Sequence, residues 1–151
     1  MHKSGFSLIE VLVFVSILSI FFVSAMFVTT VSLHNMKVNE HRIIASRYAE
    51  DLLEWIRAYK ETDWDNFMEK TINGGENPYC FNSTPGSLVD FPGVSSCGYT
   101  GIDGLSPVIY RRTATLIQQN SGQIQVAISV NWREGGSVYS VPINATLSIW
   151  E

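Results

Sequence analysis

Charge is what this sequence lacks first. Asp, Glu, Lys and Arg make up 16% of its 151 residues, against roughly 25% in an average soluble domain. The shortage is local: no Asp, Glu, Lys or Arg stands between Glu10 and Lys37. Helix breakers are missing from the same region, with neither glycine nor proline between Phe6 and Asn73. Positive charge is scarce overall. Ten Lys and Arg against fourteen Asp and Glu leave a formal charge of −4, which excludes a nucleic-acid-binding module that works through bulk charge. With three histidines (His2, His34, His41), two cysteines (Cys80, Cys97) and no Cys-x-x-Cys pair, few residues remain for a metal site. Disorder is excluded by the aromatics, 12% of the chain, and by plentiful β-branched residues. The length sets an expectation of one domain, with room for an appendage.

Residues 11–33 form an uncharged run of 23, dominated by Val, Ile, Leu, Phe and Met. As a helix they would measure roughly 35 Å, enough to cross a hydrocarbon core of ~30 Å. Ser16, Ser19, Ser24, Thr29, Thr30 and Ser32 are scattered through it; their hydroxyls can bond back to the preceding turn and so are tolerated in lipid. A secretory signal peptide would find small residues for cleavage at Ser24 and Ala25, but the apolar run continues through Met26, Phe27 and Val28. A plain membrane anchor explains the length but leaves Glu10 unexplained. A carboxylate costs about 2.5–3.5 kcal/mol at the centre of a membrane helix and less near the interface. Glu10, at the mouth of the run, either tilts into the headgroups or awaits a cation.

The first residues, Met1-His2-Lys3-Ser4-Gly5 followed by Phe6-Ser7-Leu8-Ile9-Glu10-Val11-Leu12-Val13, closely resemble the N-terminus of type IV pilins and pseudopilins. The resemblance implies a short basic leader, residues 1–5, that prepilin peptidase removes on the cytoplasmic side by cutting between Gly5 and Phe6. It also implies N-methylation of Phe6, retention of the apolar segment, and pairing of the Glu10 carboxylate with the Phe6 amine of a neighbouring subunit. Counting Lys3 against Lys37, Arg42 and Arg47 does not settle orientation by the positive-inside rule. The resemblance places the part after the apolar helix outside the cytoplasm. The family's major pilins commonly carry a proline in the apolar half. Its absence here is closer to the minor pilins of the PilV type and to minor pseudopilins.

Beyond Asn35 the chain turns polar but keeps a helical pattern. Ala45, Tyr48/Ala49, Leu52, Trp55/Ile56 and Tyr59 recur at spacings of three and four, while Glu50, Asp51, Glu54, Arg57, Lys60 and Glu61 are assigned to the opposite face. One helix from Phe6 to about Tyr59 would be roughly 80 Å long, the stalk that the pilin resemblance implies.

Between Asp63 and about Tyr99 the sequence reads as irregular, punctuated by Gly74-Gly75, Asn77-Pro78, Pro85-Gly86 and Pro92-Gly93. Trp64, Phe67 and Met68 suggest one more helical turn covering the sheet edge. If this part lies outside the cytoplasm, as the resemblance implies, Cys80 and Cys97 can form one intrachain disulfide; two free thiols or half of a metal site are the alternatives. Asp63, Asp65, Asn66 and Glu69 are acidic or oxygen-bearing, as some calcium-binding pseudopilin heads require, but their spacing is not that of an EF-hand and a solvated helix end accounts for them. Asn82-Ser83-Thr84 and Asn144-Ala145-Thr146 are formal glycosylation sequons.

The rest reads as strands. Residues 108–117 form the first. Ile124, Val126, Ile128, Val130 and Trp132 then alternate with Gln125, Ala127, Ser129, Asn131 and Arg133, a strand with one buried face. Glu134-Gly135-Gly136 makes a hairpin turn, and residues 138–150 form a third strand in which Pro142 points to an edge position or a bulge. Arg111 and Arg112 are adjacent on a strand and face opposite ways, which argues against a nucleic-acid patch. The fold class is α+β: a long N-terminal helix, with a transmembrane half and an amphipathic half, packed on a C-terminal antiparallel sheet of about three strands. The expected divisions are the leader 1–5, the transmembrane and filament-core helix 6–34, and a head 35–151. The head comprises the amphipathic half 35–61, a variable loop region 62–106 and the sheet 107–150.

No Ser-His-Asp or Cys-His set can be placed in the head, and His34 and His41, two turns apart on one helix face, read as solvated rather than as ligands. An enzyme is not expected, nor a cofactor. The expected role is a structural subunit of a pilus or pseudopilus, resident first in the cytoplasmic (inner) membrane as a single-pass protein. Its partners would be prepilin peptidase, other pilin subunits and the membrane-bound assembly machinery. The alternative is a membrane-anchored extracytoplasmic binding module that never polymerises and uses the Cys80–Cys97 loop.

Overall fold

A computed structural model describes residues 7–74, 78–86, 90–93, 96–104 and 107–150. With no glycine or proline to interrupt it, the N-terminal region forms a single helix, α1, over Leu8–Thr62. The chain divides into two units, Met1–Asn39 and Glu40–Glu151, and α1 contributes to both.

In the second unit, α1 ends where Asp63 takes over as the cap of a second helix, α2 (Trp64–Gly74). The Asp63 carboxylate accepts the backbone N–H of Asn66 at 3.0 Å and the Asp63 carbonyl accepts that of Phe67 at 3.0 Å, the arrangement that satisfies the orphan donors of a helix start. The expected single turn is thus three turns long. Its apolar Phe67 is completely buried, and α2 lies against the sheet at its second strand.

The sheet has four antiparallel strands in sequential order: β1 (Tyr79–Cys80), β2 (Tyr110–Asn120), β3 (Gln123–Glu134) and β4 (Ser137–Ser148). The extra strand, β1, comes from the segment expected to be irregular. It pairs Tyr79 with Ala114 and Cys80 with Thr113, and two residues are too few for a period-two signal to register. The strand β2 runs to Asn120, further than its apolar stretch, because the turn is shorter than its polar sequence suggests. The Asn120 side chain accepts the Gly122 N–H at 2.9 Å and closes it, with an irregularity between Gln118 and Asn120. Between β3 and β4, Gly135 and Gly136 have φ of 57° and 82°, the left-handed pair that a two-residue hairpin matching the strand twist requires. Pro142 stands opposite Ser129 on β4, the outermost strand, where its missing N–H costs no ladder bond.

One face of the sheet is buried beneath the helices. Tyr110, Ala114 and Leu116 of β2 and Ile124, Val126, Ile128, Val130 and Trp132 of β3 are buried, and so are Ala45, Ala49, Leu52, Ile56 and Tyr59 of α1. The α1 stripe is the one that the three–four spacing predicts. Coverage thins toward the edge: Tyr139, Val141, Ile143 and Ala145 of β4 are only half-buried. Lys60 departs from its assignment to the solvated face. It is buried, and its ammonium donates to the Ser148 carbonyl at 3.1 Å, so its alkyl stem covers apolar surface while its head finds a backbone acceptor.

Candidate functional site

The first unit consists of the apolar part of α1. Gly5 and Phe6, and the expected leader 1–5 with them, lie outside the described residues. Glu10 occupies the first turn of α1, where the positive end of the helix dipole favours a carboxylate. Its backbone N–H donates to the Ser7 carbonyl at 3.0 Å, and the side chain is exposed. The apolar residues that follow stand in the open: Leu8 is 77% exposed, Phe27 70% and Val23 69%. An apolar surface of that extent is one that a membrane or other protein chains must cover. The helix is long and apolar enough to cross a membrane. The hydroxyls behave as expected. Ser16, Ser19, Ser24, Thr29 and Thr30 each donate to a carbonyl three or four residues back, at 2.8–2.9 Å. That removes unsatisfied donors from a surface meant for an apolar medium.

In the second unit the loop region is fastened by two devices. Cys80 and Cys97 form a disulfide, S–S 2.06 Å, closing a separation of 17 residues. Beside it stands Arg112, buried to 1% exposure. Its Nε donates to the Phe81 carbonyl at 2.8 Å and its Nη1 to the Tyr48 carbonyl at 2.9 Å. Its Nη2 reaches the Thr84 hydroxyl and, at 3.4 Å, the Asp103 carboxylate. One guanidinium thus ties α1, the segment after β1 and the turn at Asp103. Burial pushes its pKa down, and the Asp103 charge opposes that shift, followed by Asp51 and Tyr48. The arginine doublet divides as strand geometry demands, with Arg112 inward and Arg111 on the outer face. Asp103 itself is held at a positive φ of 52°, and its backbone N–H donates to the Asn82 carbonyl at 2.7 Å. The Asn82 amide, read as a sequon, is engaged: its Nδ2 donates to the Gly98 carbonyl at 2.8 Å and to Thr100 Oγ1 at 2.7 Å.

His41 is not a solvated histidine. It is only 18% exposed; its Nδ1 shares a hydrogen bond with the Tyr110 hydroxyl, and its Nε2 lies 3.5 Å from the Glu134 carboxylate. Burial, first, and then the neighbouring Tyr48, Glu40 and Glu134 push the Tyr110 phenol up to about 12. The sequence spacing of helix positions cannot show this, because both partners come from strands about seventy and ninety residues away. Among the described residues no group of three His, Cys, Asp or Glu side chains is placed to hold a metal ion. The acidic residues near α2 are partly spoken for, with Asp63 acting as a cap.

Residues 1–26 match the protein family described as Prokaryotic N-terminal methylation motif. The match covers the residues before α1 and the first part of that helix, and it supports a type IV pilin- or pseudopilin-type precursor. No curated protein and no solved structure matches the chain.

Proposed function

We propose that this chain is a prepilin that is cut after Gly5, N-methylated at Phe6, held in the cytoplasmic membrane by α1, and then assembled into a pilus or pseudopilus filament. The observation that carries the reading is the methylation motif over residues 1–26, running into an exposed apolar helix with Glu10 in its first turn. The role is structural rather than enzymatic, and no cofactor is called for. Its partners are prepilin peptidase, other pilin subunits and the membrane-bound assembly machinery.

The physical logic is a change of apolar solvent. Cleavage frees an α-amine at Phe6, four residues from Glu10. In the bilayer both charges sit near the headgroups, where their cost is small. In a filament core the apolar side chains of neighbouring helices replace the lipid, and an unpaired carboxylate there is costly while a paired one is tolerated. The Glu10 carboxylate of one subunit against the Phe6 amine of another therefore selects the axial offset at which both charges are satisfied. Terminal mass spectrometry of the mature protein tests the reading. Loss of residues 1–5 with one methyl group on Phe6 is expected. An intact Met1, or a mature chain starting at Met26, would refute it and leave a membrane-anchored binding module.

A further inference from the structure

Charge is unevenly placed beyond the apolar run. From residue 37 to 47, α1 carries Lys37, Arg42 and Arg47 against one acid, Glu40. The bond of His41 with Tyr110 and the contact of His41 with Glu134 fasten His41 to the end of the sheet where β2 begins and β3 finishes. That end adds Arg111 and Arg133 against Glu134. With both acids counted, these two stretches hold five basic residues and two acidic ones. The rest of the chain after Asn35 holds four basic residues and eleven acidic ones. A chain of net negative charge thus gathers its positive charge where the head follows the apolar segment.

Strand alternation puts Arg111 and Arg133 on the outer face of the sheet, whereas Glu134 turns to the helix side and meets His41. Both guanidinium groups lie against the Tyr99 ring, Arg133 4.1 Å and Arg111 5.0 Å from its centroid. Neither is ion-paired among the described residues, and Arg111 Nε has no acceptor among them. Asp103, the acid nearest Tyr99 in sequence, is engaged by Arg112 and Thr84. Val138, opposite Arg133 in the ladder, is 58% exposed, and Val108, just before β2, is 71% exposed. Unpaired arginine, an aromatic ring and open aliphatic side chains are the composition that suits the headgroup level of a bilayer.

We propose that this end of the head, through Tyr99, Arg111, Arg133 and the two valines, rests on the anionic lipid surface of the membrane while the chain is resident there. The tether argues for lipid as the occupant. His41 follows Leu33, the last residue of the uncharged run, by eight residues, roughly 12 Å of helix. Lys60, bonded to Ser148 at the opposite end of the sheet, follows it by 27 residues, roughly 40 Å. Whatever angle α1 makes with the bilayer, the arginine end is the one the chain keeps within reach of the headgroups. The attraction of an anionic leaflet for a cation falls off within a Debye length, so it acts on this end and not on the acidic remainder. The inference rests on the reading of α1 as a membrane span and adds to it a lipid-facing surface that needs neither Phe6 nor Glu10.

The test uses the full-length chain reconstituted into vesicles of phosphatidylcholine with phosphatidylglycerol. The photoreactive p-benzoylphenylalanine replaces Val138 or, as the control at the opposite end, Trp150. Illumination is expected to join lipid to position 138 about fivefold more than to position 150. Vesicles of phosphatidylcholine alone, and the double substitution Arg111→Gln, Arg133→Gln, should each lower the adduct at position 138 about fivefold or more. Arg111→Lys with Arg133→Lys should keep most of it, and high salt should weaken it; an intact Cys80–Cys97 disulfide reports that each variant is folded. Equal adducts at the two positions, adducts indifferent to anionic lipid or to the arginines, or cross-links to a second protein chain in place of lipid overturn the proposal. Flotation with the vesicles separates the two levels of failure. A chain that does not float overturns the membrane reading and this inference with it, whereas lost adducts on a chain that floats overturn this surface alone.

Discussion

Arg112 and Asp103 meet at 3.4 Å across a gradient of solvent, the arginine side chain 1% exposed and the carboxylate 35%. The pair is unequal in consequence. Arg112 also satisfies the Tyr48 and Phe81 carbonyls, whereas the half-exposed Asp103 carboxylate accepts from the Thr84 hydroxyl at 3.1 Å and from the Thr84 backbone N–H. Replacing Arg112 by Leu leaves two or more acceptors unsatisfied inside the head, at about 1–3 kcal/mol each. Arg112→Leu should therefore cost ~3 kcal/mol or more, and Asp103→Asn, half in solvent, about 1 kcal/mol. Denaturant unfolding of the full chain in detergent measures both. A lower midpoint at unchanged m-value is the expected result.

The disulfide acts on the same loop by a different route. Closing 17 residues between Cys80 and Cys97 removes conformations from the unfolded chain, worth about 3 kcal/mol in the chain-entropy model. The Cys80→Ala, Cys97→Ala double variant should lose about that much stability. Because Arg112 and Asn82 still hold the segment, the folded head should keep its secondary structure. Circular dichroism at neutral pH and limited proteolysis check this, with cleavage expected first in the loop between β1 and β2.

The Tyr110 phenol provides a pH test. Its pKa in the folded head is pushed up to about 12, by burial first and then by Tyr48, Glu40 and Glu134, from about 10 in an unfolded chain. A group protonated more tightly in the folded state adds stability that is complete below pH 10 and is lost as pH climbs through about 12. The melting temperature should therefore fall over that window. Tyr110→Phe should flatten part of the fall, leaving the share due to Tyr59 and Tyr79, which burial also pushes up. At neutral pH the same variant forfeits the bond to His41, about 1 kcal/mol. A Tyr110→Phe melting curve parallel to that of the wild type from pH 9 to 12 would show that the phenol does not carry the effect.

The features legible in the sequence are those set by local periodicity or by one short motif. The stripe from Ala45 to Tyr59 and the alternation from Ile124 to Trp132 depend only on neighbours within a turn or a pleat, and both faces are buried as their spacing implies. Two kinds of feature escaped. Short elements such as β1 are too brief to show a period, and the full length of α2 rests on Asp63 acting as a cap rather than as one of several solvated acidic residues. Long-range polar contacts escaped altogether. Arg112 resembles any strand arginine until Tyr48, 64 residues away, and Phe81, 31 residues away, present their carbonyls. His41 likewise finds Tyr110 only through the fold. An arginine in line with Tyr110, Ala114 and Leu116 on alternate positions of β2 was the available signal for Arg112.

Glu10 separates an anchor from a subunit. It stands in the first turn of α1, exposed, at the head of a surface with no other charge before Lys37. A membrane anchor has no use for that carboxylate, and removing it should make insertion slightly more favourable. In the proposed filament it would neutralise a neighbour's Phe6 amine. Glu10→Ala and Glu10→Gln should thus leave membrane insertion intact while lowering incorporation into filaments at least tenfold. That is the effect of losing ~1.4 kcal/mol or more per contact, a modest figure for breaking a charge pair in an apolar core. Glu10→Asp keeps the charge with a shorter reach and should retain an intermediate share. Co-expression of tagged wild-type and variant chains, followed by shearing and quantification of filament-bound against membrane-bound protein, measures the ratio directly. Equal incorporation of Glu10→Ala and wild type would show that apolar packing alone sets the register.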